Sequence, residues 1–207
     1  MGERRAHAII DLSALRSNFL RARELSGERE VIAVVKADAY GHGAGPAARS
    51  LESVGCRRFA VVSVGEACEL REAGVTGGVL VMGGLVSGDE ARLVAEYGLC
   101  PVVHHDRDLE LVREAARIQE GPISVEIEVD TGMQRMGVAI EEAVSLAHAV
   151  AGDPATRLAG IFTHFAHAEN PEPEASLEQI AAFRALIHEL RAAGIDPGCI
   201  DRKSTRD

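Results

Sequence analysis

ISVEIEVD, residues 123–130, sets Val125, Ile127 and Val129 on one side of an extended chain and Glu126, Glu128 and Asp130 on the other. A central strand of an open doubly wound sheet is apolar on both faces. A barrel strand packs its outer face on helices and can direct polar groups into a functional interior. The stretch therefore favours a barrel, the plain alternative being an edge strand whose acidic face lies in water. Outward from it, short β-branched runs recur at Val31–Val35, Phe59–Val62, Val79–Met82, Pro101–Val103 and Leu158–Phe162. Helical stretches at Gly65–Ala73, Ser87–Glu96, Asp106–Gln119, Ile140–Ala151 and Glu174–Ala193 separate them. Near the start, Ala6–Ile10 is strand-like, and Asp11 can cap a helix with Leu12, Leu15, Phe19 and Leu20 on one face. The strand-to-strand steps, roughly 20 to 35 residues, are the length of a βα unit. The expected fold is α/β, a (β/α)8 TIM-type barrel over residues 11–200, incomplete at its C-terminal end because about six units are visible. Where a seventh strand should begin, the chain reads DRKSTRD, residues 201–207, with five of seven residues charged. This tail is either a solvated terminus, foreign to the natural product, or the end of a truncated one.

The chain has 207 residues, 46% of them hydrophobic, with 22 Lys+Arg against 32 Asp+Glu and a formal charge of −10. That composition excludes disorder as the main state, and at this length no disulfide or metal staple is needed. Aromatics are 3% and Trp is absent, so clustered cations and stacking groups for nucleic acid are missing; a small-molecule partner is expected. Cys56, Cys68, Cys100 and Cys199 form no CxxC pair and read as free buried thiols of a reducing compartment. Neither the N-terminus nor GGVLVMGGLV, residues 77–86, is long enough for a signal segment or a membrane span of about 20 residues. A soluble, cytoplasmic protein is expected.

Three segments carry chemistry. VVKADAYGHG, residues 34–43, puts Lys36 at the end of the first strand, sharing a face with Val34 and Ile32. A desolvated amine there is a candidate Schiff-base nucleophile, and a lysine snorkelling from a strand end is the plain reading. Tyr40, in the Gly-flanked loop, is placed to offer its hydroxyl to a phosphate or to pack the turn. In VDTGMQRMGV, residues 129–138, Arg135 is the one cation among Glu126, Glu128 and Asp130. The carboxylates either hold it structurally or aim it at a ligand carboxylate. GIFTHFAHAEN, residues 160–170, sets His164 after the sixth strand, at the same barrel mouth as Lys36 and Arg135. His164 and His167 have no third ligand at suitable spacing, so no metal is expected.

Together these segments resemble alanine racemase, a fold-type III enzyme using pyridoxal 5′-phosphate, over about residues 6–195; FAVVSVGEACELREAG, residues 59–74, is similar to the family's second strand and helix. The resemblance implies that Lys36 binds the cofactor covalently and serves as one of two bases, and that Tyr40 binds its phosphate. It also implies that His164 packs on the pyridine ring, and that Arg135 bonds the phenolic oxygen and the substrate carboxylate. Residues 1–10 would then be a strand of a C-terminal β domain, which is missing together with its tyrosine, the second base, and an arginine facing the pyridine nitrogen. Where family members often carry a lysine that becomes a carbamate, this chain has Glu128, so a direct Glu128–Arg135 pair is the expected substitute. The implied activity of the intact protein is interconversion of L- and D-alanine by a head-to-tail homodimer, for D-alanine and peptidoglycan precursor supply. The 207 residues alone are expected to show no racemisation. The alternative is a noncatalytic pyridoxal-phosphate-binding barrel, against which VDTGMQRMGV speaks.

Overall fold

The computed structural model describes residues 7–168 and 174–203. They fall into two compact units, Met1–Leu80 and Val81–Asp207. Each is built from strand–helix steps with parallel strands, the construction of a (β/α)8 barrel with fewer than eight units.

In the first unit, residues 7–10 form no regular element. Helix α1 (Leu12–Ser26) starts where Asp11 accepts the backbone N–H groups of Ser13 and Ala14. It packs on α3 (Ala44–Glu52) through a stripe narrower than the sequence suggests: Phe19 is buried, whereas Leu20, a further 100° around the helix, is 39% exposed. Strand β1 (Ile32–Val34) leads into a short turn, α2 (Lys36–Gly41), and pairs in parallel with β2 (Arg58–Val61), Val34 opposite Ala60. Helix α4 (Val64–Glu72) opens on a capping box, in which Ser63 Oγ accepts the Glu66 N–H and the Glu66 carboxylate accepts the Ser63 N–H. Strand β3 (Gly78–Val81) ends this unit and begins the second.

The second unit continues with α5 (Gly88–Tyr97), β4 (Cys100–Val103), α6 (Asp108–Gln119), β5 (Ile123–Asp130), β6 (Val138–Ala139), α7 (Ala143–Gly152), β7 (Thr156–His164), α8 (Glu174–Ala192) and β8 (Cys199–Lys203). Strands β4, β5, β7 and β8 lie side by side in that order, all parallel, and β6 adds two residues to β5. Strand β5 is thus central, not an edge. Ile123, Val125, Ile127 and Val129 are fully buried, with α6 packed on this strand, and the opposite face is buried too, Glu126 being 2% and Glu128 7% exposed. The solvated-edge alternative is thereby excluded. Gly160 on β7 makes room for the acid face, since a Cβ there would stand 3.1 Å from the Glu126 carboxyl carbon.

Residues 199–203 run in register with β7, from Cys199 opposite Gly160 to Lys203 opposite His164, so the first three residues of the charged tail continue a strand. Residues 204–207 lie outside the described residues. None of the four cysteines is in a disulfide among the described residues, and Cys56 is buried while Cys68 and Cys100 are half-buried and Cys199 exposed. Among the described residues no helix is long and apolar enough to cross a membrane.

Ile127 has no exposed surface, so Ile127→Ala leaves a cavity in the layer between β5 and its helices. The expected loss is about 2–5 kcal/mol in urea unfolding. A loss within about 0.5 kcal/mol, the ordinary surface-substitution range, would contradict the packed face.

Candidate active site

In the first unit the strand closes at Val34, and Lys36 opens α2 rather than continuing the face of Ile32 and Val34. The next four residues, Ala37, Asp38, Ala39 and Tyr40, have φ of 50°, 54°, 53° and 57°, a full left-handed turn without a glycine. Left-handed helix costs about 1–2 kcal/mol per L-residue, because Cβ crowds the following carbonyl. Such strain persists where surrounding bonds over-determine it, and it gathers at functional sites.

The bonds are in place here. Ala39 N–H is given to Val35 O at 2.9 Å, Gly43 N–H to Asp38 O at 2.9 Å, and Ala44 N–H to Asp38 Oδ1 at 2.7 Å, the last two tying the turn to the start of α3. His42 Nδ1 lies 2.8 Å from Ala39 O. Ala37 N–H is donated to Glu66 Oε1 at 2.7 Å, on α4. The turn leaves Lys36 half-buried and Tyr40 55% exposed.

Burial pushes the Glu66 carboxyl up, but the N–H groups of Ala37, Ser63 and Val62 and the Ser63 hydroxyl outweigh it and hold the group below the usual carboxylate range. A carboxylate depressed in this way adds stability that is present above its unfolded pKa of about 4.3 and is lost as pH falls through the folded value.

In the second unit, β5 and β7 deliver Glu128, Arg135 and His164. Asp130 Oδ1 accepts the N–H groups of Gly132 and Gln134 at 2.9 and 3.0 Å, which turns the chain at once after β5. Arg135 stands exposed in this loop, and among the described residues no ion pair joins it to Glu128. Glu128 instead has His104 Nδ1 3.9 Å from its Oε2. Burial lowers the His104 pKa, against the opposing pulls of Asp108 and the Met82 carbonyl, so the imidazole is neutral at pH 7 and the contact is not an ion pair there. His104 Nε2 lies 3.2 Å from Met82 O. The Glu128–Arg135 pair expected from the alternating face is therefore replaced, in this conformation, by a carboxylate–imidazole neighbour.

His164 ends β7 and is 4% exposed. A chain of hydrogen bonds ties its loop to that of Arg135. Gln179 Nε2 donates to Thr131 Oγ1 at 3.0 Å and to His164 O at 3.1 Å, and Gln179 Oε1 accepts the Ala166 N–H at 3.0 Å. Thr131 Oγ1 lies 2.7 Å from Thr163 Oγ1, which donates to Val129 O at 2.8 Å. Glu66, Gln179 and His104 went unnoticed in the sequence. Only Glu66 left a signal there, the Ser63-x-x-Glu66 capping box.

Each site residue thus follows the C-terminal end of a parallel strand or lies within its last turn: Lys36 and Tyr40 after β1, Glu128 and Arg135 at β5, His164 at β7. Those ends carry the active sites of βα barrels. In the first unit the Lys36 amine and the Tyr40 phenol suit a phosphorylated aldehyde, as attachment point and phosphate donor; in the second unit the Arg135 guanidinium offers a cation and the His164 imidazole a flat ring. His167 is exposed, and among the described residues no three His, Cys, Asp or Glu side chains gather as metal ligands. A cavity of about 1270 Å³ in the second unit lies elsewhere, between α6 and α7 beside Arg113, His148 and Asp153, and none of these site residues lines it.

The family described as alanine racemase, N-terminal domain, matches residues 10–205. The chain is 41% identical over 190 residues to an alanine racemase of Pseudomonas syringae pv. syringae (strain B728a), covering 91% of this chain and 52% of the relative. It superposes on a solved alanine racemase of Clostridium difficile 630 with a TM-score of 0.87 at 28% identity, over 95% of this chain and 52% of that one. A histidine racemase of Leuconostoc mesenteroides subsp. sake shares the fold, with a TM-score of 0.81 at 27% identity over 93% of this chain and 51% of that one. The chain spans about half the length of the curated relatives it matches.

Proposed function

This chain belongs to the alanine racemase N-terminal domain family, and from that premise we propose that the protein carrying it interconverts L- and D-alanine with pyridoxal 5′-phosphate attached at Lys36. Bound pyridoxal phosphate supplies an aldehyde that takes up amines and a conjugated ring that draws electrons from Cα. Lys36 would hold that aldehyde, and its Nζ would move a proton at the substrate Cα on one face. Tyr40 gives its hydroxyl to the phosphate. His164 sets a flat imidazole against the ring, and Arg135, unpaired among the described residues, has its guanidinium available for the substrate carboxylate and the phenolic oxygen. Inversion needs a second base on the opposite face; Lys36 serves one face only. A cytoplasmic homodimer is the assembly that the family resemblance supports, and the racemase relatives favour catalysis over a noncatalytic cofactor barrel.

The observation that carries the proposal is Lys36 at the mouth of a strained, hydrogen-bonded turn directly after β1. The sequence contains two lysines, Lys36 and Lys203, which makes the test sharp. Protein incubated with pyridoxal 5′-phosphate, reduced with borohydride and digested should carry its pyridoxyl group on the Lys36 peptide. A label confined to Lys203 or the α-amino group would sink the assignment.

A further inference from the structure

We infer that Glu66 is a positioning residue for Lys36: one carboxylate caps helix α4 and, through its second oxygen, pins the left-handed turn that presents the Lys36 amine. This rests on Lys36 being the cofactor anchor. Glu66 Oε2 accepts the N–H groups of Val62 and Ser63 at 2.8 and 3.1 Å, which completes the capping box, while Oε1 accepts the N–H of Ala37 at 2.7 Å. Ala37 is the residue next to Lys36 and the first of the four left-handed residues. Val35 N–H, just before the turn, goes to Ala60 O on β2 at 2.9 Å, and Glu66 ties the Ala37 peptide, the first of the left-handed residues, to helix α4.

Three backbone N–H groups face the carboxylate, and all are donors. A carboxylate can serve them all, but an amide cannot, because its NH2 must oppose one of them. In Glu66→Gln the oxygen satisfies two N–H groups by facing Val62 and Ser63 but only one by facing Ala37. The helix cap is thus kept and the Ala37 peptide released. Ser63→Ala does the reverse: it removes the hydroxyl that accepts Glu66 N–H at 3.2 Å and leaves the Ala37 bond in place. Glycine enters the left-handed region without a Cβ penalty. If Glu66 holds the turn against strain, Ala37→Gly should relieve the need for it.

The experiment compares the unsubstituted protein, Glu66→Gln, Ser63→Ala and Glu66→Gln/Ala37→Gly. It reads pyridoxal 5′-phosphate affinity by absorbance titration, the site of attachment by borohydride trapping and peptide mapping, and the exchange rate of the Ala37 amide. Glu66→Gln should bind about tenfold more weakly, the scale of one lost charge-assisted hydrogen bond, with faster Ala37 exchange and the remaining label still on Lys36. Ser63→Ala should match the unsubstituted protein in all three, and the double variant should recover most of the affinity. Unchanged affinity and exchange in Glu66→Gln, with Lys36 labelled normally, overturns the role of Glu66 alone. So does equal weakening in Ser63→Ala, or no recovery in the double variant, since either makes the effect a general loss of α4 stability. A label away from Lys36 in the unsubstituted protein overturns the anchor assignment, whatever Glu66 does.

Discussion

Lys36→Ala is expected to abolish both the borohydride-trapped pyridoxyl label and the interconversion of L- and D-alanine in the protein that carries this chain. Two losses combine. The amine is the covalent attachment point, and the other lysine, Lys203, lies on β8. The same amine is one of the bases, and general acid–base catalysis alone contributes about 10²–10⁴-fold. The fold should survive, because Lys36 is half-buried at the end of a strand and substitutions of this kind usually stay within about ±0.5 kcal/mol. Circular dichroism and urea unfolding check that point, while chiral chromatography of L-alanine incubated with enzyme and cofactor measures the activity. Racemisation within tenfold of the parent, with Lys36 absent, would remove this residue from the mechanism.

The second large effect is expected at a glycine. Gly137 closes the loop that carries Arg135 and has φ of +106°, where side chains are strained. A Cβ there would stand 2.8 Å from Asp130 N, 3.0 Å from Val129 C and 3.1 Å from Glu128 O, all backbone atoms of β5, a strand held on both sides. Gly137→Ala must therefore lift the loop away, breaking the Val129–Val138 pairing of β6 and displacing Arg135. We expect a stability loss of about 1–3 kcal/mol and, in the intact enzyme, a rise in KM for alanine larger than the fall in kcat, since the guanidinium that meets the substrate carboxylate moves. Gly152→Ala is the control: nothing lies within 4 Å of a Cβ there, it ends helix α7, and alanine should be neutral or slightly stabilising. Equal behaviour of the two variants would show that the Gly137 loop is slack.

Much of the fold was legible because its signals are local. Alternation in residues 123–130, β-branched runs and helical stretches of ordinary length locate five helices and six strands of the structure to within a few residues. The place of Lys36, Arg135 and His164 at strand ends follows from the same periodicity. Helix α3 and strand β6 were not expected, and the strand expected at Ala6–Ile10 is not formed over residues 7–10; two further misses have a clear physical reason. Strand β8 is short and includes charged residues, so it carries no apolar pattern; its pairing with β7, not its side chains, makes it a strand. The left-handed turn at residues 37–40 has no glycine to announce it.

Sequence by itself determined the βα order, the strand that carries the buried acids, and the three segments that hold the chemistry, since these depend on periods of 2 and 3.6 residues and on residue type. Tertiary structure decided which partners those residues take. Arg135 and Glu128 are seven positions apart and seemed made for each other, yet Glu128 lies beside His104. The Ser63–Glu66 capping box could be read locally, but not that the second oxygen of Glu66 reaches across 29 positions to Ala37. Nor does sequence spacing reveal that Gln179 ties two loops together from α8. The physical reason is common to all three: a hydrogen bond or ion contact forms within about 3 to 4 Å, and only the packing of one strand–helix step on another sets distances at that scale.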